Sequence, residues 1–189
     1  MRIIVGITGA SGAIYGIRML EALNDAGFEV HLILSSWAEK TIAIETDYKI
    51  EEIRSLATRV YSASNQAAII SSGSFNTDGM IIAPCSMKSL AAISQGYADN
   101  LISRAADVVL KERRKLVLIP RETPLNAIHL ENMLRLSQLG ATILPPIPAF
   151  YNHPKTVTDI VNHTVSRTLD QFGIDNSLTK RWLQRETGG

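Results

Sequence analysis

Short runs of apolar and β-branched residues alternate along this chain with longer stretches of helical period, and that alternation leaves few folds open. It is the mark of βαβ units, whose strands lie parallel in one sheet. Residues 2–8 read as a fully buried strand. Residues 14–26 then place Ile14, Ile17, Leu20 and Leu23 on one helical face, and Gly27 ends the helix. Residues 28–35 read as a second strand, with helical stretches at 37–46 and 51–57. Residues 62–77 read as a loop, tightest at Ser71-Ser-Gly-Ser74. A third strand at 80–83 is cut by Pro84 and followed by a helix from about Ser86. An amphipathic helix at 100–114, a strand at 115–120, a helix at 126–139 closed by Gly140, a strand at 141–145 and a helix at 156–172 complete the pattern.

Five strands with helices between them predict an α/β chain with a single doubly wound, mostly parallel sheet flanked by helices, of the Rossmann/flavodoxin-like kind. With 189 residues the chain supports one ordinary domain, and neither a repeat nor a low-complexity linker divides it. The expected division is a domain over residues 1–175 and a peripheral tail over 176–189, able to reach a neighbouring subunit.

Composition narrows the function. A net charge of +1 creates no field that would draw nucleic acid or an anionic membrane. The basic run Lys111-Glu-Arg-Arg-Lys115 closes a predicted helix, where cations suit the helix dipole. A single cysteine, Cys85, excludes an internal disulfide and a CxxC metal clip. The start of the chain has no signal-peptide h-region, so the expected location is cytoplasmic. A mean hydropathy of +0.07 is high for such a chain and fits either buried subunit interface or a generous core.

In doubly wound sheets, ligands bind outside the carboxyl ends of the strands. The loops selected by that rule are residues 9–12, 35–37, 85–89 and 121–124. Gly6-Ile-Thr-Gly9-Ala-Ser-Gly12 joins a strand to a helix, where small residues and free N–H groups cradle a phosphate. Its spacing is not G-x-G-x-x-G and it has no P-loop lysine, so a tight turn is the competing reading. The second strand ends Leu32-Ile-Leu-Ser35-Ser36 with no carboxylate for a ribose, which disfavours NAD and favours a mononucleotide. Pro84-Cys-Ser-Met-Lys-Ser89 offers amides, two hydroxyls and an ammonium at another helix start. Cys85 reads more simply as a small buried thiol than as a nucleophile. Arg121 and Glu122 place a cation and a carboxylate after the fourth strand, as ligand groups or as a surface pair. His31, His129, His153 and His163 have no metal-ligand spacing.

Taken in order, Thr8-Gly-Ala-Ser-Gly-Ala-Ile-Tyr-Gly16, Glu45-Thr-Asp47, Ser72-Gly-Ser74, Pro84-Cys-Ser86, Arg104-Ala-Ala-Asp107, Leu110-Lys-Glu-Arg113, Pro120-Arg-Glu-Thr-Pro124, His129-Leu-Glu-Asn-Met133 and Phe150-Tyr151 resemble the UbiX-like flavin prenyltransferases. Gln66-Ala-Ala68, Cys85-Ser-Met-Lys88 and Tyr151-Asn-His-Pro154 look most similar to the branch that accompanies phenolic acid decarboxylases. The resemblance implies transfer of a dimethylallyl group from dimethylallyl phosphate to reduced FMN, without a metal. The product, prenylated FMN, would serve a UbiD-type decarboxylase, and the enzyme would assemble as a homo-oligomeric dodecamer with shared sites.

Carried over residue by residue, Lys111, Arg121, Arg167 and Tyr151 match phosphate-binding positions, with Arg104 assisting or pairing structurally. Glu45 and Glu122 match the proton-transferring carboxylates, and Ser11 a flavin contact or proton relay. Gly9, Ala10, Ser11, Ser35, Ser86, Met87, Lys88, Ser89 and Arg121 would hold FMN. Without the resemblance, Lys111 and Arg167 read as solvated helix faces. Many relatives have a tryptophan before the Ser-Gly-Ser turn, where its face could steady an allyl cation; residues 65–68 have none. Two alternatives stay open: an FMN-dependent decarboxylase of the cysteine-decarboxylase type, and a flavin-binding carrier without chemistry.

Overall fold

The computed structural model describes residues 1–182. In chain order the elements are β1 (Arg2–Ile7), α1 (Ala13–Asp25), β2 (Glu29–Leu34), α2 (Ser36–Glu45), α3 (Ile50–Ser55), β3 (Arg59–Ser62), β4 (Gly79–Cys85), α4 (Met87–Ser94), α5 (Leu101–Lys111), β5 (Lys115–Pro120), α6 (Ala127–Gln138), β6 (Thr142–Ile143) and α7 (Val157–Gln171). All paired strands are parallel, in the order β3-β2-β1-β4-β5-β6. The chain winds outward from β1 and then returns to its other side, so the strand order reverses between β1 and β4. A crevice opens at such a reversal because the connections leave it on opposite faces.

Among the described residues the sheet has six strands rather than the five expected. The addition is β3, Arg59-Val-Tyr-Ser62, an edge strand whose residues are mostly exposed. It lacks the apolar run that marks a buried strand, and only its pairing with residues 31–34 of β2 defines it. Pro84 does not end β4, which continues to Cys85 with a register shift against β5 between Ile82 and Cys85. A proline donates no ladder bond, and the shift is where the pairing accommodates it. The last strand is shorter than expected, and the loop expected at 62–77 contains a 3₁₀ turn at Ile69–Ser71.

The alternation along each strand builds a core on both faces. Ile3, Val5 and Ile7 pack against α1 and α7 through Ile17, Leu20 and Val165. Ile4, Met80 and Ile82 face α4, α5 and α6 through Leu90, Ile102 and Leu136. Each large apolar side chain so buried contributes about 1.5–3 kcal/mol, enough to hold the strand ends and the loops they carry in register.

Residues 176–182 fold back on their own chain. Both guanidinium nitrogens of Arg181 reach Asp170 of α7, at 3.0 and 2.7 Å, and Asn152 Nδ2 donates to Thr179 Oγ1 at 3.0 Å. The rest of the expected tail, 183–189, lies outside the described residues. Among them no helix is long and apolar enough to cross a membrane.

Candidate active site

Apolar strands end where polar residues begin, and here four such ends meet at the β1/β4 reversal. Thr8, the last residue before the glycine loop, is buried and staples two of them: its Oγ1 donates to the Pro84 carbonyl at 2.7 Å and accepts from the Ser86 N–H at 2.9 Å. Across β4, the Arg121 N–H donates to the Cys85 carbonyl at 3.2 Å. The Arg121 Nε then reaches the Ser11 carbonyl at 3.1 Å. One arginine thereby ties the end of β5 to the loop after β1.

The loop between β1 and α1 is shaped by two glycines. A Cβ on Gly9 would collide with the Cβ of Trp37 at the start of α2. Gly12 stands at φ 97°, a left-handed conformation that costs a side-chain-bearing residue about 1–2 kcal/mol. Among the described residues the N–H groups of Gly9, Ala10 and Ser11 donate no hydrogen bond. α2 and α4 add more open donors. Ser35 caps α2 by accepting from the Ala38 N–H at 3.0 Å, and Ser86 caps α4 by accepting from the Ser89 N–H at 3.3 Å. The N–H groups of Ser36, Trp37, Met87 and Lys88 precede the first intrahelical bonds and point outward. Three sets of free amides face one crevice, a polar cradle that fits the phosphate and ring edge of a mononucleotide.

Glu45, at the far end of α2, enters the cradle from one side. Its Oε2 accepts from the Gly12 N–H at 2.8 Å and the Ala13 N–H at 3.1 Å. Gly12 offers no side-chain cap to α1, so a carboxylate from another helix takes that place. Burial alone would raise the Glu45 pKa. The Ser11 hydroxyl, the two N–H groups and the Arg121 charge outweigh it and hold the carboxyl below its ordinary range. Glu122 is exposed, its Oε1 accepting from the Thr123 N–H at 3.1 Å. Lys88 is also exposed, while Met87 packs against the core. Cys85 is fully buried, and burial pushes its thiol up to about 12, so it stays protonated and unreactive at neutral pH.

Contacts at the β1/β4 reversal thus join the segments that carry Gly9, Ala10, Ser11, Ser35, Glu45, Ser86 and Arg121, and Met87, Lys88, Ser89 and Glu122 follow on them directly in the chain. They do not include Lys111 or Arg104 of the same chain. Lys111 ends α5 just before β5, whereas Arg121 follows β5. That strand has six residues, which separates its ends by roughly 20 Å at ~3.3 Å per residue. Lys111 pairs there with Glu112, and Arg104 pairs with Asp107 at 2.8 Å.

Tyr151 and Arg167 form a third group. The Tyr151 hydroxyl lies 3.0 Å from His163 Nε2, one helical turn before Arg167, and Arg167 pairs with Asp170 at 2.8 Å. Thr41, whose Oγ1 donates to the Gly9 carbonyl at 3.2 Å, was not singled out, while Thr8 and Trp37 stood in the 8–16 motif and the 35–37 loop without a role of their own. Thr8 carried a signal, as a polar residue ending an apolar strand; the other two act only through tertiary contact.

Comparison with known proteins gives the family and the fold. The model of the Flavoprotein family matches residues 1–169. A "Probable UbiX-like flavin prenyltransferase" of Bacillus subtilis is 60% identical over 191 aligned positions, covering 100% of this chain and 94% of the relative. The crystal structure of a dodecameric FMN-dependent UbiX-like decarboxylase from Escherichia coli O157:H7 superposes with a TM-score of 0.95 at 58% identity, covering 96% of this chain and 99% of the other. AnUbiX (PadA1), solved with FMN and dimethylallyl pyrophosphate, gives a TM-score of 0.96 at 52% identity, covering 98% of each chain. The chain belongs to the UbiX-like flavin prenyltransferases, within the Flavoprotein family.

Proposed function

We propose that this chain is a flavin prenyltransferase that joins the dimethylallyl group of dimethylallyl phosphate to reduced FMN. The observation that carries the reading is the cradle at the β1/β4 reversal, where the free amides of the glycine loop adjoin an ionised Glu45, held by the Gly12 and Ala13 N–H groups, and Arg121. The family to which the chain belongs supports it. The allylic C–O bond to phosphate breaks, bonds from the C5 unit to the flavin close a fourth ring, and inorganic phosphate leaves. Reduced FMN, when bound, supplies the electron-rich ring that takes up the C5 unit.

In this reading the amides and hydroxyls of Gly9, Ala10, Ser11, Ser35, Ser86, Met87, Lys88 and Ser89, with Arg121, hold the flavin. Glu45 and Glu122 move protons during ring closure, and Ser11 hydrogen-bonds the ring or relays a proton. Charge develops on the departing phosphate, so cations have to be in place before it forms. Lys111, Arg121, Arg167 and the Tyr151 hydroxyl meet it, with Arg104 in support. The distance along β5 puts Lys111 out of reach of its own cradle, so Lys111 serves the cradle of a neighbouring copy. Exposed Ile128, Leu130 and Leu134 on α6 are apolar surface that such an assembly covers, as a dodecamer of the kind formed by the E. coli relative. We take residues 1–175 as the flavin-binding unit, the cytoplasm as its location and a UbiD-type decarboxylase as the user of the product.

A cysteine decarboxylase would need a histidine base near the first helix, and α1 contains none. A carrier would need neither the ionised Glu45 nor the cationic groups. The test is anaerobic incubation with reduced FMN and dimethylallyl phosphate, followed by mass spectrometry of the released flavin. A gain of one C5 unit is expected; a tightly bound flavin of unchanged mass would favour the carrier.

A further inference from the structure

Arg114 grips the turn that carries Ser72 and Ser74, and the reaction as proposed gives it no part. Its Nη1 donates to the Phe75 carbonyl at 2.8 Å, and its Nη2 donates to the Gly73 carbonyl at 2.7 Å and to Asn76 Oδ1 at 3.4 Å. Arg104 holds the same segment one step earlier, its Nε donating to the Ser71 carbonyl at 3.2 Å. A guanidinium fork spans two carbonyls at once, which a lysine ammonium on a flexible stem does not do in a fixed geometry. Bonds from a charged donor are also the stronger kind.

The turn and Lys111 occupy one place. A Cβ on Gly73 would lie 2.8 Å from Lys111 Nζ and would collide with the Glu112 carboxylate. The absence of a side chain at 73 lets the backbone close onto the Lys111–Glu112 pair. Ser72 Oγ and Ser74 Oγ, 2.8 Å apart, share a hydrogen bond beside it. The backbone of this turn therefore lies directly against the Lys111–Glu112 pair and bounds the space open to the lysine.

The aim of Arg114 is itself set by the end of α5. The Arg113 N–H donates to the Leu110 carbonyl at 3.0 Å and the Arg114 N–H to the Val109 carbonyl at 2.9 Å, the paired bonds of a Schellman ending. That ending requires a left-handed residue, and Arg113 takes it at φ 53° without being glycine. A conformation of that kind persists where its surroundings over-determine it.

We propose that Arg114 is a positioning residue for the prenyl-phosphate donor. By pinning the Gly73 and Phe75 carbonyls it fixes the turn against Lys111, so that the ammonium and the Ser72 and Ser74 hydroxyls enter a neighbouring copy's cradle as one preorganised phosphate-binding unit. The inference rests on the prenyl-transfer reading.

It is tested with Arg114→Met, Arg114→Lys and Gly73→Ala in the full-length assembled protein, measuring FMN affinity, and KM and kcat for dimethylallyl phosphate. Loss of preorganisation is expected to raise KM for the donor about ten-fold or more in Arg114→Met and Gly73→Ala, with FMN affinity unchanged and kcat less affected. Arg114→Lys recovers part of the loss. An unmoved KM, or an equal loss of FMN binding, overturns the proposal; a role confined to stability would lower the melting temperature alone. Should Arg114→Met fail to assemble, the other two variants decide by the same KM. Wild type that forms no prenylated flavin would instead refute the underlying reading, while active wild type with unmoved KM in the variants refutes only the role of Arg114.

Discussion

Glu45 shows how much one residue's surroundings decide. A carboxylate at a helix end, exposed in the single chain, would ordinarily be a solvated charge. Here it caps a different helix and lies beside Ser11 and near Arg121. Glu45→Gln keeps the shape and an acceptor oxygen, so FMN binding is expected to persist. Loss of a proton-transfer group costs on the order of 10²–10⁴-fold in turnover. Flavin titration alongside a turnover assay checks both, and turnover at the wild-type rate would refute the assignment. The folded pKa of Glu45 is lowered, so its contribution to stability is complete above the ordinary carboxylate value and is lost as pH falls through the folded value. The step of the kcat/KM profile that Glu45 sets is accordingly expected below the ordinary carboxylate range, separate from the limb of the donor phosphate at about pH 6, and absent in Glu45→Gln. A carboxylate step at or above that range, lost in Glu45→Gln, would contradict the ion cluster. The sequence made Glu45 visible only through a family motif, because its partners Gly12 and Ala13 are 33 and 32 positions away along the chain. The opening glycine loop was legible directly, since its strand, turn and helix are local.

At the scale of elements, strands buried on both faces read clearly as continuous apolar runs, and helices with one apolar stripe did so too. The edge strand β3 escaped because a strand with little burial carries little pattern. Pro84 misled for a related reason: proline argues against a central strand, and only the register shift shows how the sheet accommodates it. The end of α5 offers a test at this scale. Arg113 is a side-chain-bearing residue in the left-handed position that glycine fills at most helix ends. Arg113→Gly is expected to stabilise the fold by about 1 kcal/mol, or about 2–4 °C in melting temperature for a chain of this size. Equal or lower stability, measured by thermal and denaturant unfolding, would show that the Arg113 side chain makes a compensating contact.

For the whole molecule, the sheet acts as a spacer as well as a scaffold. It puts the amide cradle at the carboxyl ends of its strands and Lys111, with the Ser72–Ser74 turn against it, at the other end of β5. Candidates for both groups stood in the sequence, most of them through the family motif, but their separation did not, since it depends on which end of a strand each occupies. A closed assembly brings opposite ends of different copies together with no added element. The measurement that tests this most directly is complementation: Lys111→Ala and Glu45→Gln subunits are each assayed alone and then co-expressed as mixed oligomers, reading prenylated FMN by mass. Each variant alone is expected to be nearly inactive, whereas random mixing rebuilds about a quarter of the sites from one intact cradle and one intact lysine on different copies. Mixed oligomers as inactive as the two parents would contradict the shared site.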